Sequence, residues 1–468
     1  MDSLTPHQSA SICDLAYDIT DEIHTATKSS NAKFRVPFDY MKSAKKNRIF
    51  ASFAKLQFSP IDYFQANTGL GDGRTAAFGV IAEGIDIYGN NRKGESLITI
   101  RGTQSWADWG TNFRTMPDSK QGVHIHSGFN QAFQSFAHHI DRYLDWHSPS
   151  RIHLVGHSLG GALATLTARH IHSRDSAGSC QVKLYTFGAP RVGFDNFNQQ
   201  METLIGKQNI YRVYHDADVV SMIPMYPFLH AFSADSAEGY CLNWNGSLVS
   251  VQAHDRQGYI RSIGNSDWQG LKNKPMAWTS RRLMASLGSY LLLGPALFSA
   301  KLLSIIGKAL NYILSKALGI GLGTLPGYAT TLDQISWLLV RGMTALKSLW
   351  ELGIGALKAI LAFLGIKAEV KNPTVAFIRA LLERLGSCLQ SLAYQSVYLT
   401  HPETGFTSRT PRSGWQTQQA YLSRTGLLED NMPFSSGHRP RQNAYRRPGP
   451  NNKLSKRQLG PSVWMPDN

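Results

Sequence analysis

Residues 156–160 have the sequence Gly-His-Ser-Leu-Gly, in which a serine stands between two glycines. The apolar residues 152–155 before them predict a buried strand, and the small residues that follow predict a helix over 159–173. Glycine lets the chain turn sharply between the two elements, so that the hydroxyl of Ser158 projects above the sheet next to a helix N-terminus. This context predicts that Ser158 is a nucleophile. The alternative is an ordinary tight turn.

A serine at its usual pKa needs a histidine base, which a carboxylate in turn orients. In hydrolases built this way, the acid and then the histidine follow the serine along the chain. The candidate acids after the next two strands are Asp195, Asp216 and Asp218, and the candidate bases are His230, His254 and His401. The negative charge that develops on a substrate carbonyl needs two donors, one of which is predicted to be the backbone N–H of Leu159.

Strands and helices alternate around this motif. Short apolar runs predict strands near 76–82, 97–100, 182–187 and 210–214, and helical periodicity appears over 9–28 and 128–146. The first two strands are predicted to form a hairpin-like pair. The alternation predicts an α/β fold whose mostly parallel sheet carries helices on its faces.

The positive charge is confined to the C-terminal part of the chain. The 468 residues carry a net charge of +16, but residues 1–270 contain 24 basic and 24 acidic side chains. Residues 271–400 contain 14 basic and 4 acidic side chains, and residues 401–468 contain 10 and 4. We therefore expect a neutral α/β domain over 1–270, an apolar and basic helical region over 271–400, and a flexible basic tail over 401–468.

Three interpretations of residues 275–395 remain open: a helical cap on the first domain, helices that lie in or on a membrane, and helices that span it. Lysines recur on one helical face at Lys301, Lys308 and Lys316, and this favours the membrane surface. The charge alone is compatible with nucleic acid, but no recognisable nucleic-acid-binding module is present.

The sequence gives little support for a disulfide framework, a metal site or a signal peptide. The four cysteines are far apart and form no CxxC pair, and the paired histidines lack the carboxylate or cysteine neighbours of a metal site. No basic segment followed by an apolar one opens the chain, so no cleavable signal peptide is expected. We expect a cytoplasmic or peripheral membrane location, or secretion by a route that reads no such signal.

Several further segments, together with 156–161, resemble the class 3 lipases, an α/β-hydrolase family that includes the fungal triacylglycerol lipases. The similarity runs over roughly residues 75–265. The matching segments are 101–105 (Arg-Gly-Thr-Gln-Ser), Asp108, Trp109, Asn112, 126–129 (His-Ser-Gly-Phe), 186–193 (Thr-Phe-Gly-Ala-Pro-Arg-Val-Gly), 218–220 (Asp-Val-Val), Ile223 and Pro224.

The resemblance implies a role for particular residues. It places the triad acid at Asp218 and the base at His254, in a stretch with Tyr259 five residues later. It also implies that Thr103 is the second oxyanion donor and that residues 105–109 occupy the place of the family's interfacial lid.

The expected function is hydrolysis of carboxylic esters of membrane lipids by a serine hydrolase that needs no cofactor and binds no metal. A phospholipase A is favoured over a triacylglycerol or monoacylglycerol lipase. The expected partners are a membrane lipid substrate and a membrane surface, without nucleic acid. The alternative is a membrane-disrupting or scaffolding protein whose hydrolase domain mainly docks.

Overall fold

The computed structural model describes residues 3–399 except for 30–37, 39–42, 68–74, 88–89, 103–122, 175–177, 232–238, 245–247, 273–278, 293–298 and 321–329. Four sequence predictions therefore lie outside the described residues: the role of Thr103, the lid at 105–109, the candidate base His401 and the tail at 401–468.

In the described residues, a seven-stranded sheet forms the centre of the α/β part. Its strands lie in the order β1-β2-β5-β6-β7-β8-β9. Their bounds are β1 (Phe58–Asn67), β2 (Thr75–Gly84), β5 (Glu95–Ile100), β6 (Arg151–His157), β7 (Gln181–Phe187), β8 (Ile210–His215) and β9 (Tyr240–Leu242), and a separate two-stranded ribbon contains β3 (Asp86–Ile87) and β4 (Asn90–Asn91). Neighbouring strands from β5 to β9 are parallel, whereas β1–β2 and β2–β5 are antiparallel. The mostly parallel sheet predicted from the sequence is confirmed.

Helices cover both faces of this sheet, as a parallel sheet requires. Their bounds are α1 (Pro6–Ser29), α2 (Ser43–Lys55), α3 (Ser127–Trp146), α4 (Leu159–Arg174), α5 (Asp195–Met201) and α6 (Arg256–Ile263). Successive side chains of a strand point to opposite faces. Leu154 of β6 accordingly packs with α3 and α4 on one face, and Val155 packs with α1, α2 and α6 on the other.

The carboxyl ends of the parallel strands lie side by side. His157, the last residue of β6, pairs with Phe187, the last residue of β7, and β8 ends next to them at His215. Loops that leave these strand ends therefore meet at one edge of the sheet, where ligands of open α/β sheets bind.

In the described part of the chain, five further helices follow the α/β part. They are α7 (Ser280–Leu292), α8 (Ala300–Gly319), α9 (Thr331–Ala345), α10 (Lys347–Leu364) and α11 (Val375–Leu399). They pack mainly on one another, and their buried sides are almost entirely apolar. Among the described residues, α11 packs against the short helical turn Val251–His254 of the α/β part, and Leu248 forms a β-bridge with Ser299.

Within the described part of the chain, no helix combines the length and the apolar character needed to cross a bilayer.

Candidate active site

Ser158 occupies a strained turn between β6 and α4. Its φ is +57°, a left-handed conformation that costs a residue with a Cβ free energy and is found mostly at functional sites. The flanking glycines permit the turn, because a Cβ on Gly160 would lie 2.1 Å from the carbonyl oxygen of Ile100. The backbone N–H of Ser158 donates to the carbonyl of Phe187, which fixes the turn against β7.

The structure brings together Ser158, predicted from its motif, and Asp218 and His254, which the resemblance implied. His254 Nε2 lies 2.8 Å from Ser158 Oγ, and His254 Nδ1 lies 2.9 Å from Asp218 Oδ2. All three side chains are almost fully buried. A carboxylate only accepts, so the proton of the neutral imidazole is assigned to Nδ1, and the lone pair of Nε2 faces the serine hydroxyl. The arrangement can take a proton from Ser158 as its oxygen attacks an electrophile.

Two further donors hold the Asp218 carboxylate. The backbone N–H of Val220 donates to Oδ1 at 2.9 Å, and the Tyr259 hydroxyl donates to Oδ2 at 2.6 Å. Burial and the neighbouring Asp218 charge raise the pKa of Tyr259 well above its ordinary value, so its hydroxyl remains a donor. Both contacts stabilise the negative charge that orients His254.

Among the described residues, the other candidates have different partners. Asp216 accepts from the backbone N–H of Trp244 at 2.9 Å, and Asp195, the first residue of α5, accepts from Gln199 at 2.6 Å. His230 Nε2 donates to the carbonyl of Ser221 at 2.8 Å. Burial, and then the nearby arginines, lower the pKa of His230 well below its ordinary value, and the ring is thus neutral.

The N–H of Leu159 lies next to the nucleophile. Leu159 is the first residue of α4, where a backbone N–H is not needed for hydrogen bonds within the helix. Thr103, the second predicted donor, lies outside the described residues, but Gly102 before it does not. A Cβ on Gly102 would lie 2.9 Å from the Cβ of Ser158, so Gly102 lies directly against the nucleophile.

Gly188 is a residue at the site that was not singled out from the sequence for its role. Gly188 follows β7 with a φ of +56°, and a Cβ there would lie 2.6 Å from Asp218 Oδ2 and 3.1 Å from His254 Nδ1. Its place in the segment 186–193 was visible, but sequence alone does not indicate that its missing side chain leaves room for the acid and the base.

The described residues include no group of three or more His, Cys, Asp or Glu side chains that could hold a metal ion.

Comparison with known proteins bears on this site. Residues 97–228 match the family model described as Lipase (class 3). This part of the chain is similar to the class 3 lipases. The match includes Ser158 and Asp218 and ends before His254.

Several curated proteins resemble part of this chain. Secreted mono- and diacylglycerol lipase 1 of Fusarium solani is 30% identical over 152 residues, which are 31% of this chain and 44% of that protein. Toxin TseL of Vibrio cholerae is 32% identical over 108 residues, 23% of this chain and 16% of the toxin. Phospholipase A1-II 1 of Oryza sativa subsp. indica is 37% identical over 123 residues, 26% of this chain and 30% of that protein. The chain spans less than half the length of each of these three relatives.

Solved structures of fungal lipases are also similar to about half of this chain. The native Rhizomucor miehei lipase propeptide complex has 23% identity and a TM-score of 0.33, covering 49% of this chain and 67% of that one. The mono- and diacylglycerol lipase from Aspergillus oryzae has 20% identity and a TM-score of 0.35, covering 48% of this chain and 76% of that one.

Proposed function

We propose that the protein hydrolyses carboxylic esters of membrane lipids through an acyl-enzyme formed on Ser158. One observation carries the proposal: Ser158, His254 and Asp218 form a continuous hydrogen-bonded chain at a strained strand-to-helix turn. The class 3 lipase match over residues 97–228 supports the choice of ester substrates.

In the first half of the reaction, Ser158 Oγ attacks the ester carbonyl while its proton moves to His254 Nε2. The resulting imidazolium is stabilised by Asp218, and the oxyanion by the N–H of Leu159 together with a donor at Thr103. Collapse of the tetrahedral intermediate breaks the bond to the alcohol, which leaves with the proton from His254. A water molecule then repeats both steps on the acyl group, which releases the fatty acid and restores Ser158.

Within ester lipids, we propose a glycerophospholipid substrate, which makes the protein a phospholipase A. The names of the relatives include both a phospholipase A1 and mono- and diacylglycerol lipases, and neutral glycerides are therefore the alternative. The basic helices favour the phospholipid, because a positive surface concentrates the enzyme at an anionic bilayer.

We further propose a division of labour in which residues 1–270 perform catalysis and residues 271–400 contact the membrane. Helices α7–α11 direct their apolar sides toward one another, and the side chains of Lys301, Lys316 and Lys358 are exposed. Leu318 and Ile320 are exposed beside Lys316. This arrangement supports electrostatic contact with headgroups, with shallow burial of a few apolar side chains. The cap interpretation, in which these helices only cover the α/β part, remains the alternative.

The reaction is tested with the full chain and its Ser158→Ala variant. Both are mixed with vesicles of phosphatidylcholine and phosphatidylglycerol, and separately with a diacylglycerol dispersion, and the products are measured by mass spectrometry. We expect the unsubstituted chain to release fatty acid and lysophospholipid from the vesicles, and Ser158→Ala to release neither. Release of fatty acid from diacylglycerol alone would show that the protein is a glyceride lipase and not a phospholipase. Dye leakage from vesicles that is equal for both proteins, without products, would favour membrane disruption.

Membrane contact is tested with the double variant Lys301→Glu/Lys316→Glu. Its matched control is Arg48→Glu/Lys55→Glu, which reverses two exposed charges on α2. We expect the first variant, and not the control, to lose co-sedimentation with anionic vesicles at low salt, where exposed charges act most strongly. Both should hydrolyse a soluble short-chain ester normally. Equal vesicle binding by the two variants would support the cap interpretation.

A further inference from the structure

We propose that Tyr17, on the N-terminal helix α1, is a positioning residue that holds the loop preceding Thr103 and the segment of His254 in register with Ser158. The inference rests on the proposed serine-hydrolase function. Tyr17 acts through other groups and is given no contact with a reacting atom.

A chain of three hydrogen bonds carries the proposal. The backbone N–H of Gly102 donates to the Tyr17 hydroxyl at 2.9 Å, and that hydroxyl lies 2.9 Å from Nδ1 of His157. Nε2 of His157 lies 2.9 Å from the backbone carbonyl of His254. One buried hydroxyl therefore connects the residue before Thr103 with the residue that carries the proposed base.

The direction of each bond follows from the donor and acceptor chemistry. The carbonyl of His254 can only accept, so His157 carries its proton on Nε2 and presents the lone pair of Nδ1. The Tyr17 hydroxyl consequently donates to Nδ1 while its oxygen accepts from Gly102. Burial raises the pKa of Tyr17 to about 12, which keeps the donated proton in place. All three hydrogen bonds therefore run in the same direction, from the N–H of Gly102 to the carbonyl of His254.

Two arginines contact the Tyr17 ring and help to keep it in place. The guanidinium of Arg101, next to Gly102, lies 5.2 Å from the ring centroid, and that of Arg256, two residues after His254, lies 4.4 Å from it. Arg101 forms an ion pair with Asp21, and Arg256 forms one with Asp14. Both acids belong to α1, as does Tyr17. Helix α1 thus contacts both the segment at Arg101 and the segment at Arg256, which come from different parts of the chain and lie near Ser158.

The consequence for the reaction is geometric. Gly102 lies against Ser158. A shift of Gly102 therefore moves the residue directly before Thr103, the proposed second oxyanion donor. His157 is the residue before Ser158, and its contact with the backbone of His254 sets the separation of the base from the nucleophile. Displacements of about 1 Å at such a site cost up to 100-fold in rate.

The test uses the full chain with Tyr17→Phe, which removes only the hydroxyl. The matched control is Tyr143→Phe, which removes a buried hydroxyl bonded to Ser96 at 2.6 Å, near the amino end of β5. Active sites are counted by titration with a fluorophosphonate, so that kcat refers to competent enzyme only. We expect kcat for a soluble ester to fall about 10- to 100-fold in Tyr17→Phe with KM changed less than about threefold, and kcat to stay within about twofold in the control.

A double-mutant cycle with His157→Asn adds a second readout. If Tyr17 acts through His157, the double variant is no slower than the slower single variant; independent effects would multiply. Amide hydrogen exchange at Gly102 supplies a third readout that does not depend on turnover, and we expect faster exchange in Tyr17→Phe alone. Faster exchange with unchanged kcat, or equal loss of kcat in Tyr17→Phe and Tyr143→Phe, would overturn the positioning role. Absence of ester hydrolysis by the unsubstituted chain would instead overturn the proposed function.

Discussion

The hydroxyl of Tyr259 donates to Oδ2 of Asp218 over 2.6 Å, and the same carboxylate oxygen accepts from Nδ1 of His254. The tyrosine oxygen also accepts from the backbone N–H of His215 at 3.2 Å. Tyr259 therefore helps to hold the carboxylate oxygen that accepts from His254, and it joins the acid to the end of β8.

Replacement of Tyr259 by Phe tests this contact. The variant leaves Asp218 with one donor fewer and the His215 N–H without its acceptor, so we expect kcat to fall about tenfold and the free energy of unfolding to fall by about 1–3 kcal/mol. Tyr185→Phe is the control, because its buried hydroxyl accepts from the backbone N–H of Leu4 at 3.0 Å. Ester hydrolysis and urea denaturation are measured on both. An unchanged kcat in Tyr259→Phe would show that Val220 and His254 suffice to hold the acid.

Substitutions of Asp218 and Asp216, which lie on the same loop, test which aspartate is the triad acid. In Asp218→Asn the amide no longer holds the proton of His254 on Nδ1, and we expect kcat to fall by about 10³- to 10⁴-fold. Asp216→Asn keeps an oxygen that accepts from the N–H of Trp244, so its kcat should stay within about threefold. Circular dichroism confirms folding of both. The reverse order of effects would transfer the role to Asp216.

Substitutions of His254 and His230 test which histidine is the base. His254→Ala removes the acceptor 2.8 Å from Ser158 Oγ, and we expect kcat to fall at least about 10³-fold. His230→Ala removes a hydrogen bond to the carbonyl of Ser221 and should reduce stability by about 1–3 kcal/mol while kcat changes little. Steady-state kinetics with a soluble ester, corrected for the folded fraction, is the measurement. Comparable activity in the two variants would argue against His254.

Gly188 tests how tightly the acid and base are packed. Gly188→Ala adds a methyl group 2.6 Å from Asp218 Oδ2 at a φ of +56°, so we expect kcat to fall more than about tenfold and stability by about 1–3 kcal/mol. Gly178→Ala separates strain from crowding, because Gly178 has a φ of +64° and open space around its Cβ position. That control should lose stability alone. Similar kinetics in both variants would contradict crowding at Gly188.

His126 makes stability depend on pH. Burial lowers the pKa of His126 to about 4, and the neutral ring accepts from the N–H of Phe129 at the start of α3. Because the unfolded chain binds the proton near pH 6.5, this contribution is complete above pH 6.5 and is lost as the pH falls toward 4, by about 3 kcal/mol.

The variant His126→Asn checks this assignment. Asparagine also accepts at a helix N-terminus but does not titrate, so the free energy of unfolding of the variant should fall less between pH 6.5 and 4 than that of the unsubstituted chain. Urea denaturation at pH 7.5, 5.5 and 4 measures both. Parallel curves would exclude His126 as the source.

The sequence predicted the strands β5 to β8 and the elbow at Ser158 because each is a local pattern: an apolar run bounded by turn residues, or glycines beside a serine. It did not predict β1, where Pro60 stands in an edge strand beside a register shift, or β9, whose three residues are too few for a periodic signal. Tyr17 could not be assigned a role, since 140 residues separate it from His157 and only the folded chain makes them neighbours.

The apolar region illustrates a different limit. Leu, Ile and Ala with a stripe of lysines predict amphipathic helices, but the same pattern suits a protein core and a bilayer. The structure places these apolar sides against one another in α7–α11, and Leu302, Ile306 and Ile313 are fully buried. Their partners are other segments of comparable pattern, which no single window of sequence reveals.

The contact between α11 and the turn that ends at His254 affects the order in which the site is completed during synthesis. A ribosome extends the chain from its N-terminus, so Ser158 and Asp218 emerge well before residues 375–399. The turn that carries His254 gains its neighbour α11 only after that helix has left the ribosome. A nascent chain that pauses near residue 270 thus holds all three residues before the helix that packs against the turn of the third has been made.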